Sequence, residues 1–325
     1  MQLTILWKKY SIFGRNPMKQ LPARVLRSIL LLGLACGLTT PVLAKDTDMI
    51  INGKPVPDGA YPWQVRLYES ADDQYGFCGG SIVGPKWILT AAHCALGDDN
   101  QPVDKIVVGY GSNDRTRTKR IESETIIVHP DYMQGEKADL ALIKLKSAIP
   151  NASWIGIADA GVDREMLKPG SSVTVTGWGA MWDPNDQAVM DLLSELASSQ
   201  RSAKPRNFAK ALRANRDISD KVQFPVKLHE VSMQIVDLQE CKDKFNEIGI
   251  DIGDTEICAL EPGERNDSCY GDSGGPLIVP ADNRNGYVQV GIVSWGKECG
   301  DRTFPGVYAR LSSFNNWIKS QMGLH

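Results

Sequence analysis

The chain has 325 residues, with 36 Lys+Arg against 39 Asp+Glu and a formal net charge of −3. Residues 1–44 hold six of the basic groups and no acid, so residues 45–325 carry 30 basic against 39 acidic groups, a net of −9; that balance excludes a general nucleic-acid or anionic-membrane binder, which needs a basic surplus. A composition 42% hydrophobic and 23% charged excludes bulk disorder, and 30 Gly with 18 Pro favour short strands and turns over long helices.

The chain opens with a basic stretch and an uncharged run of 17 residues, Ser28–Ala44. Thr39, Thr40 and Pro41 weaken it as a membrane span, which needs about 20 apolar residues. Val42-Leu43-Ala44 puts small residues where a signal peptidase cuts, so residues 1–44 are expected to be an export signal cleaved after Ala44, with no stable membrane insertion. The part from Met18 to Ala44 would form a complete signal by itself. Cys36 falls within the signal, which leaves Cys78, Cys94, Cys241, Cys258, Cys269 and Cys299. Six cysteines in an exported chain predict three disulfides among about 15 pairings, and an oxidising compartment. No Cys-x-x-Cys or His-x-x-x-His spacing supports a metal site, and no cofactor is expected.

Strands are predicted at Trp63–Tyr68, Ser81–Thr90, Lys105–Gly109, Thr125–Val128, Asp139–Leu145, Ser171–Thr176, Val288–Trp295 and Val307–Leu311, separated by Gly, Pro, Asp and Asn. The pattern is that of an all-β sandwich or barrel pair. Ser312-Ser313 before Phe314, Trp317, Ile318 and Met322 predicts a serine-capped amphipathic C-terminal helix. One segment departs from this. From about Trp182 to Pro225, apolar residues recur at helical spacing, and six basic residues without an acid lie between Arg201 and Arg216. This is expected to be a helical or mobile insert of 44 residues, and a surface excursion without chemistry.

Four histidines are present. His93 lies in Thr90-Ala91-Ala92-His93-Cys94, where small neighbours and a cross-linked cysteine would hold an imidazole in one pose, as a general base requires. His129 and His229 lack that support and are expected to be structural or surface groups. Asp139 stands at the mouth of an alternating strand, where a carboxylate can orient a histidine tautomer. In Gly271-Asp272-Ser273-Gly274-Gly275-Pro276, a serine on a tight turn can expose its Oγ while bare backbone N–H groups point at one spot.

Together with these, Ile50-Ile51-Asn52-Gly53, Tyr61-Pro62-Trp63-Gln64-Val65, Cys78-Gly79-Gly80-Ser81, Gly177-Trp178-Gly179, Ser294-Trp295-Gly296 and Pro305-Gly306-Val307-Tyr308 occur in an order that resembles the trypsin/chymotrypsin family of serine proteases. The resemblance covers Ile50 to the C-terminus apart from the insert. It implies two six-stranded antiparallel β-barrels with the active site in the cleft between them. It implies Ser273 as nucleophile, His93 as general acid/base, Asp139 as its orienter, and the N–H groups of Gly271 and Ser273 as an oxyanion hole. The disulfides implied are Cys78–Cys94, Cys241–Cys258 and Cys269–Cys299. A catalytically silent binding protein of the same fold is the alternative; such a chain typically loses a triad residue, and this one keeps all three.

Asp267, six residues before Ser273, stands where trypsin-like members carry the acid at the base of the primary pocket. With Ser268, Ser294, Gly296 and Gly306 it implies cleavage of protein or peptide substrates after Arg or Lys. The family's activation step implies that the α-amino group of Ile50 pairs with Asp272, which makes residues 45–49 an activation peptide and residues 50–325 the protease domain. Met49 departs from the usual Arg or Lys before the cut, so a separate activating protease is expected. Glu298 and Tyr270 are expected at the pocket rim, and Arg115–Arg120 lacks the acids of the family's calcium loop. The enzyme is expected to be a secreted monomer. Arg201, Arg206, Lys210, Arg213 and Arg216 of the insert are candidate self-cleavage sites, or a basic exosite.

Overall fold

The computed structural model describes residues 53–324 apart from 136, 182–185, 193–204, 215, 264–266, 284, 298 and 300. The expected export signal, the activation peptide, Ile50 and Glu298 lie outside the described residues. A short strand β1 (Lys54–Pro55) comes first. The strands β2 (Gln64–Tyr68), β3 (Cys78–Gly84), β4 (Trp87–Thr90), β5 (Val107–Tyr110), β6 (Lys119–Val128) and β7 (Ala141–Leu145) close into an antiparallel barrel in the order β2-β3-β4-β7-β6-β5. After β8 (Gly156–Ile157), six more strands follow: β9 (Ser172–Gly177), β10 (His229–Ile235), β11 (Glu256–Leu260), β12 (Pro276–Pro280), β13 (Tyr287–Trp295) and β14 (Gly306–Arg310). They run β10-β11-β14-β13-β12-β9, and the pairing of β9 with β10 closes this second antiparallel barrel.

Period-two alternation fills the second barrel. Val173 and Val175, Val231, Met233 and Ile235, and Leu277 and Val279 point into one buried cluster. Each such side chain is worth about 1.5–3 kcal/mol when fully buried. Ile278 and Ile292 belong instead to the cluster that holds Val65, Leu67, Ile88 and Leu142 of the first barrel, so the barrels share apolar packing. Polar bonds add register: Gln64 Nε2 donates to the Thr176 carbonyl at 3.2 Å, Thr176 Oγ1 to Gln64 Oε1 at 2.7 Å and Ser81 Oγ to Gln289 Oε1 at 2.6 Å. The rings of Tyr61 and Trp63 pack on Tyr287 at 5.4 and 5.9 Å, each pair adding about 0.5–1.5 kcal/mol.

The C-terminal helix Leu311–Gln321 buries Leu311, Phe314, Asn315 and Ile318. Its cap differs from the expected one. Arg310 is the N-cap without a side-chain cap bond, and Ser312 lies inside the helix with its hydroxyl donated to Asp163. His129 is buried, with its ring 5.2 Å from Phe314 and 4.7 Å from Trp317, a structural role as anticipated.

The insert contains the helices Pro205–Ala214 and Arg216–Ser219, as its periodicity predicts. It is not a plain surface excursion. Arg206, Ala209, Leu212 and Ile218 are buried, which removes Arg206 from the accessible self-cleavage sites. Among the described residues no helix is long and apolar enough to cross a membrane.

Candidate active site

His93 leaves β4 in a short helical turn, Ala92–Ala95, whose four residues are all buried. Asp139 lies two residues before β7. The antiparallel pairing of β4 with β7 sets Thr90 opposite Ala141, so the chain leaving one strand and the chain entering the other meet at the same end of the barrel. That register brings the two residues together. Asp139 Oδ2 lies 2.7 Å from His93 Nδ1, and Oδ1 accepts the His93 backbone N–H at 3.0 Å. With Nδ1 engaged, Nε2 is left for proton traffic. Burial raises the cost of ionising Asp139, but the His93 charge and hydrogen bonds from His93 and Ser294 outweigh it and hold the carboxyl below its ordinary value.

Ser273 sits on the turn before β12. Its carbonyl accepts the Gly79 N–H of β3 at 2.8 Å, and the Cys94 sulfur lies 3.5 Å from the same oxygen. The Gly274 N–H reaches the Val293 carbonyl on β13 at 2.8 Å, so the turn is tied to both barrels. Gly274 has φ +78°, and a Cβ there would collide with Thr90 Oγ1, three residues before His93; a side chain would push the serine turn away from the histidine. Among the described residues the N–H groups of Gly271 and Ser273 donate to no acceptor.

Beneath this turn lie two buried charged groups, Asp272 and Arg66, and the sequence motifs point only to the first. Asp272 is fully buried, with Oδ1 accepting the Gly179 N–H at 2.7 Å and Oδ2 the Cys269 N–H at 3.0 Å. A Cβ at Gly179 would overlap this carboxylate, which accounts for the glycine in Gly177-Trp178-Gly179. Burial pushes the Asp272 carboxyl up to about 6, against the lowering effect of the Cys269 N–H, the Arg66 charge and the Gly179 N–H. Arg66 is itself fully buried, and burial pushes its guanidinium down to about 10. Its Nη1 donates to the Gly271 carbonyl at 2.9 Å and its Nε to the Tyr75 carbonyl at 2.9 Å. The visible signal was a lone cation in the otherwise apolar run Val65-Arg66-Leu67-Tyr68, all of it buried.

The expected pocket residues gather between β13, β14 and the Cys269–Cys299 disulfide. Asp267 is buried, and a Cβ at Gly306 would stand 3.1 Å from its Oδ1. Gly296 faces Gly306, with a Cβ there 4.0 Å from the Gly306 Cα. Ser268 Oγ is 3.4 Å from the Tyr308 hydroxyl, whose pKa is raised by burial first and by the Asp267 charge second. Ser294 is turned differently: its hydroxyl is committed to Asp139, so only its backbone is left for the pocket.

The other bonded pairs are Cys78–Cys94 and Cys241–Cys258. The Cys78 and Cys94 sulfurs and a His93 ring nitrogen lie within 4.8 Å of one another, but both sulfurs are in a disulfide and offer no thiolate to a metal. In the Arg115–Arg120 stretch, the Arg115 guanidinium is buried on the carbonyls of Gln74, Phe224 and Pro225.

Comparison with known proteins gives a match to the trypsin family over residues 50–216 and 195–318. The chain is 31% identical over 276 residues to human transmembrane protease serine 11B, covering 85% of this chain and 56% of that protein. It is 32% and 31% identical over 292 residues to transmembrane protease serine 11G of Mus musculus and Rattus norvegicus, covering 89% of this chain and 58% of each. The chain thus spans somewhat over half the length of the curated relatives it matches. The two closed barrels, the ordered motifs and this match together establish that the chain belongs to the trypsin family.

Proposed function

We propose that the protein is an exported serine endopeptidase that cleaves after Arg or Lys and is made as an inactive precursor. The observation that carries this reading is the double grip of Asp139 on His93, beside a serine turn tied to both barrels. Ser273 Oγ attacks the scissile carbonyl while His93 Nε2 takes its proton. Asp139 fixes the tautomer and stabilises the imidazolium. The N–H groups of Gly271 and Ser273 receive the oxyanion, and a preorganised donor of this kind is worth about 2.7–4 kcal/mol. His93 then returns the proton to the leaving amine, and water releases the acyl-enzyme by the same route.

The buried Asp267 carboxylate, next to two facing glycines, suits a long cationic side chain entering from the cleft. Export through residues 1–44 and removal of residues 45–49 would free the α-amino group of Ile50 to pair with Asp272, a buried carboxylate whose pKa burial raises. A protease whose pocket selects a cationic side chain should not cut after Met49, so a separate protease performs this step, and the product acts as a secreted monomer.

The test is hydrolysis of matched peptides ending in Arg, Lys, Phe or Ala, by protein whose N-terminus has been sequenced, with Ser273→Ala as control. Turnover confined to Arg and Lys, in chains that begin at Ile50, is expected. A folded chain beginning at Ile50 without turnover would sink the proposal in favour of a binding protein.

A further inference from the structure

The helix Pro205–Ala214 of the insert is fastened to the cleft, and Arg206 is its fastening. The Arg206 side chain is 8% exposed. Its guanidinium lies 3.8 Å from the ring centroid of Phe77, its Nη2 donates to the Cys94 carbonyl at 3.3 Å, and its Nη1 stands 3.7 Å from Glu69. Its Nε has no partner among the described residues. Ala209, three residues on, packs in the cluster of Phe77, Cys78 and Cys94. Leu212, three further, packs with Cys269, Tyr270 and Cys299 beside the pocket. Positions three apart share one helix face, so a single face reaches from the histidine side of the cleft to the pocket wall.

The direction of the reaction gives that placement a meaning. The leaving amine takes its proton from His93, so the residues after the scissile bond must exit past His93 and Cys94. Arg206 lies on that side, against the Cys94 carbonyl and the Phe77 ring. We propose that this helix is a fixed wall across the leaving-group side of the cleft, pinned by Arg206, and that it restricts the first two residues after the cut to small side chains. The inference rests on the proteolytic reading above and extends it to a specificity that the pocket acid does not supply. Arg206 acts here as a positioning residue: it sets where the wall stands.

Three substrates with the same residues up to Lys test it: one followed by Ala-Ala, one by Trp-Trp, and one ending in a small chromogenic amine with nothing after the bond. Active wild-type enzyme should prefer Ala-Ala. In Arg206→Ala the ratio of kcat/KM for Trp-Trp over Ala-Ala should rise about tenfold or more. Glu69→Gln, a milder change at a partly exposed partner, should raise it less, and it keeps the proposal testable if Arg206→Ala does not fold. A structural role alone would lower all rates together and leave the ratio fixed; an unchanged ratio in both variants overturns the wall. Wild-type enzyme that hydrolyses the chromogenic substrate but cuts Ala-Ala and Trp-Trp equally also overturns it. Absence of turnover on the chromogenic substrate would instead remove the proteolytic reading itself.

Discussion

Ser294 donates its hydroxyl to Oδ2 of Asp139 at 2.5 Å, the same oxygen that faces His93 Nδ1. A residue expected to line the pocket thus braces the carboxylate that orients the histidine. A hydrogen bond to a buried charge is worth about 1.5–3 kcal/mol, so Ser294→Ala should lower kcat/KM by roughly 10- to 100-fold. The loss should fall on kcat more than on KM, because the group acts through Asp139 and His93. Ser294→Thr keeps a hydroxyl and should restore most of the rate. Steady-state kinetics of the three proteins on one Lys substrate decides it; a loss confined to KM would return Ser294 to the pocket.

Arg66 and Asp272 predict a pH-dependent penalty. Arg66→Met removes a buried cation while keeping much of its volume, and leaves the Gly271 carbonyl and the Asp272 charge without it. Leaving a buried carbonyl unsatisfied costs about 1–3 kcal/mol, and losing the favourable Arg66 charge adds to this when Asp272 is ionised. Losing the guanidinium should lift the Asp272 pKa further above 6, so the cost should be smaller at pH 5 than at pH 8. Denaturant unfolding at both pH values checks this. Equal destabilisation at both would mean that Arg66 acts by packing and by its bonds to carbonyls alone.

Asp272 makes a separate prediction for the precursor. Its carboxyl is raised from 3.8 to about 6 by burial, so the folded state favours the protonated form. The sign follows: this contribution to stability is full below pH 4 and is lost as pH rises through 6. A rise of this size corresponds to about 3 kcal/mol. Asp272→Asn should therefore flatten the fall in precursor stability between pH 4 and 7. The same change should prevent activation of chains beginning at Ile50, which would lose the partner for their new α-amino group. A precursor whose stability rises across that range would contradict the raised pKa.

What the sequence displayed and what it hid divide along physical lines. His93, Asp139 and Ser273 were legible because each sits in a local motif, and only the pairing of Thr90 with Ala141 was needed to join two of them. Strands β10, β11 and β12 were not anticipated, since they are short, or carry charges such as Glu230 and Glu256 that hide the alternation. The run Ser81–Thr90 reads as one strand in the sequence, but Pro85-Lys86 turns it into the β3–β4 hairpin. Periodicity gave the insert its helices, yet it carries no information about the surface they pack on. Arg66 carries no local signal because its partner, the Gly271 carbonyl, comes from the far end of the chain.

Asp267 supports the sharpest test of specificity. Its carboxylate is buried beside Gly306, and its charge contributes to the raised pKa of Tyr308. An Arg or Lys side chain entering the pocket would meet this buried carboxylate through charge-assisted hydrogen bonds, which are the strong ones. Asp267→Ser removes the attraction and leaves the glycine-lined entrance unchanged. Truncating one partner of a buried charge pair costs about 2–5 kcal/mol, so kcat/KM for Arg and Lys substrates should fall roughly 10²- to 10³-fold. Phe and Ala substrates should keep their rates or gain, because an apolar side chain no longer has to be buried against a carboxylate. Parallel kinetics on the four substrates gives the answer: equal losses on all four would mean that Asp267 supports the fold of the wall and does not select the cation.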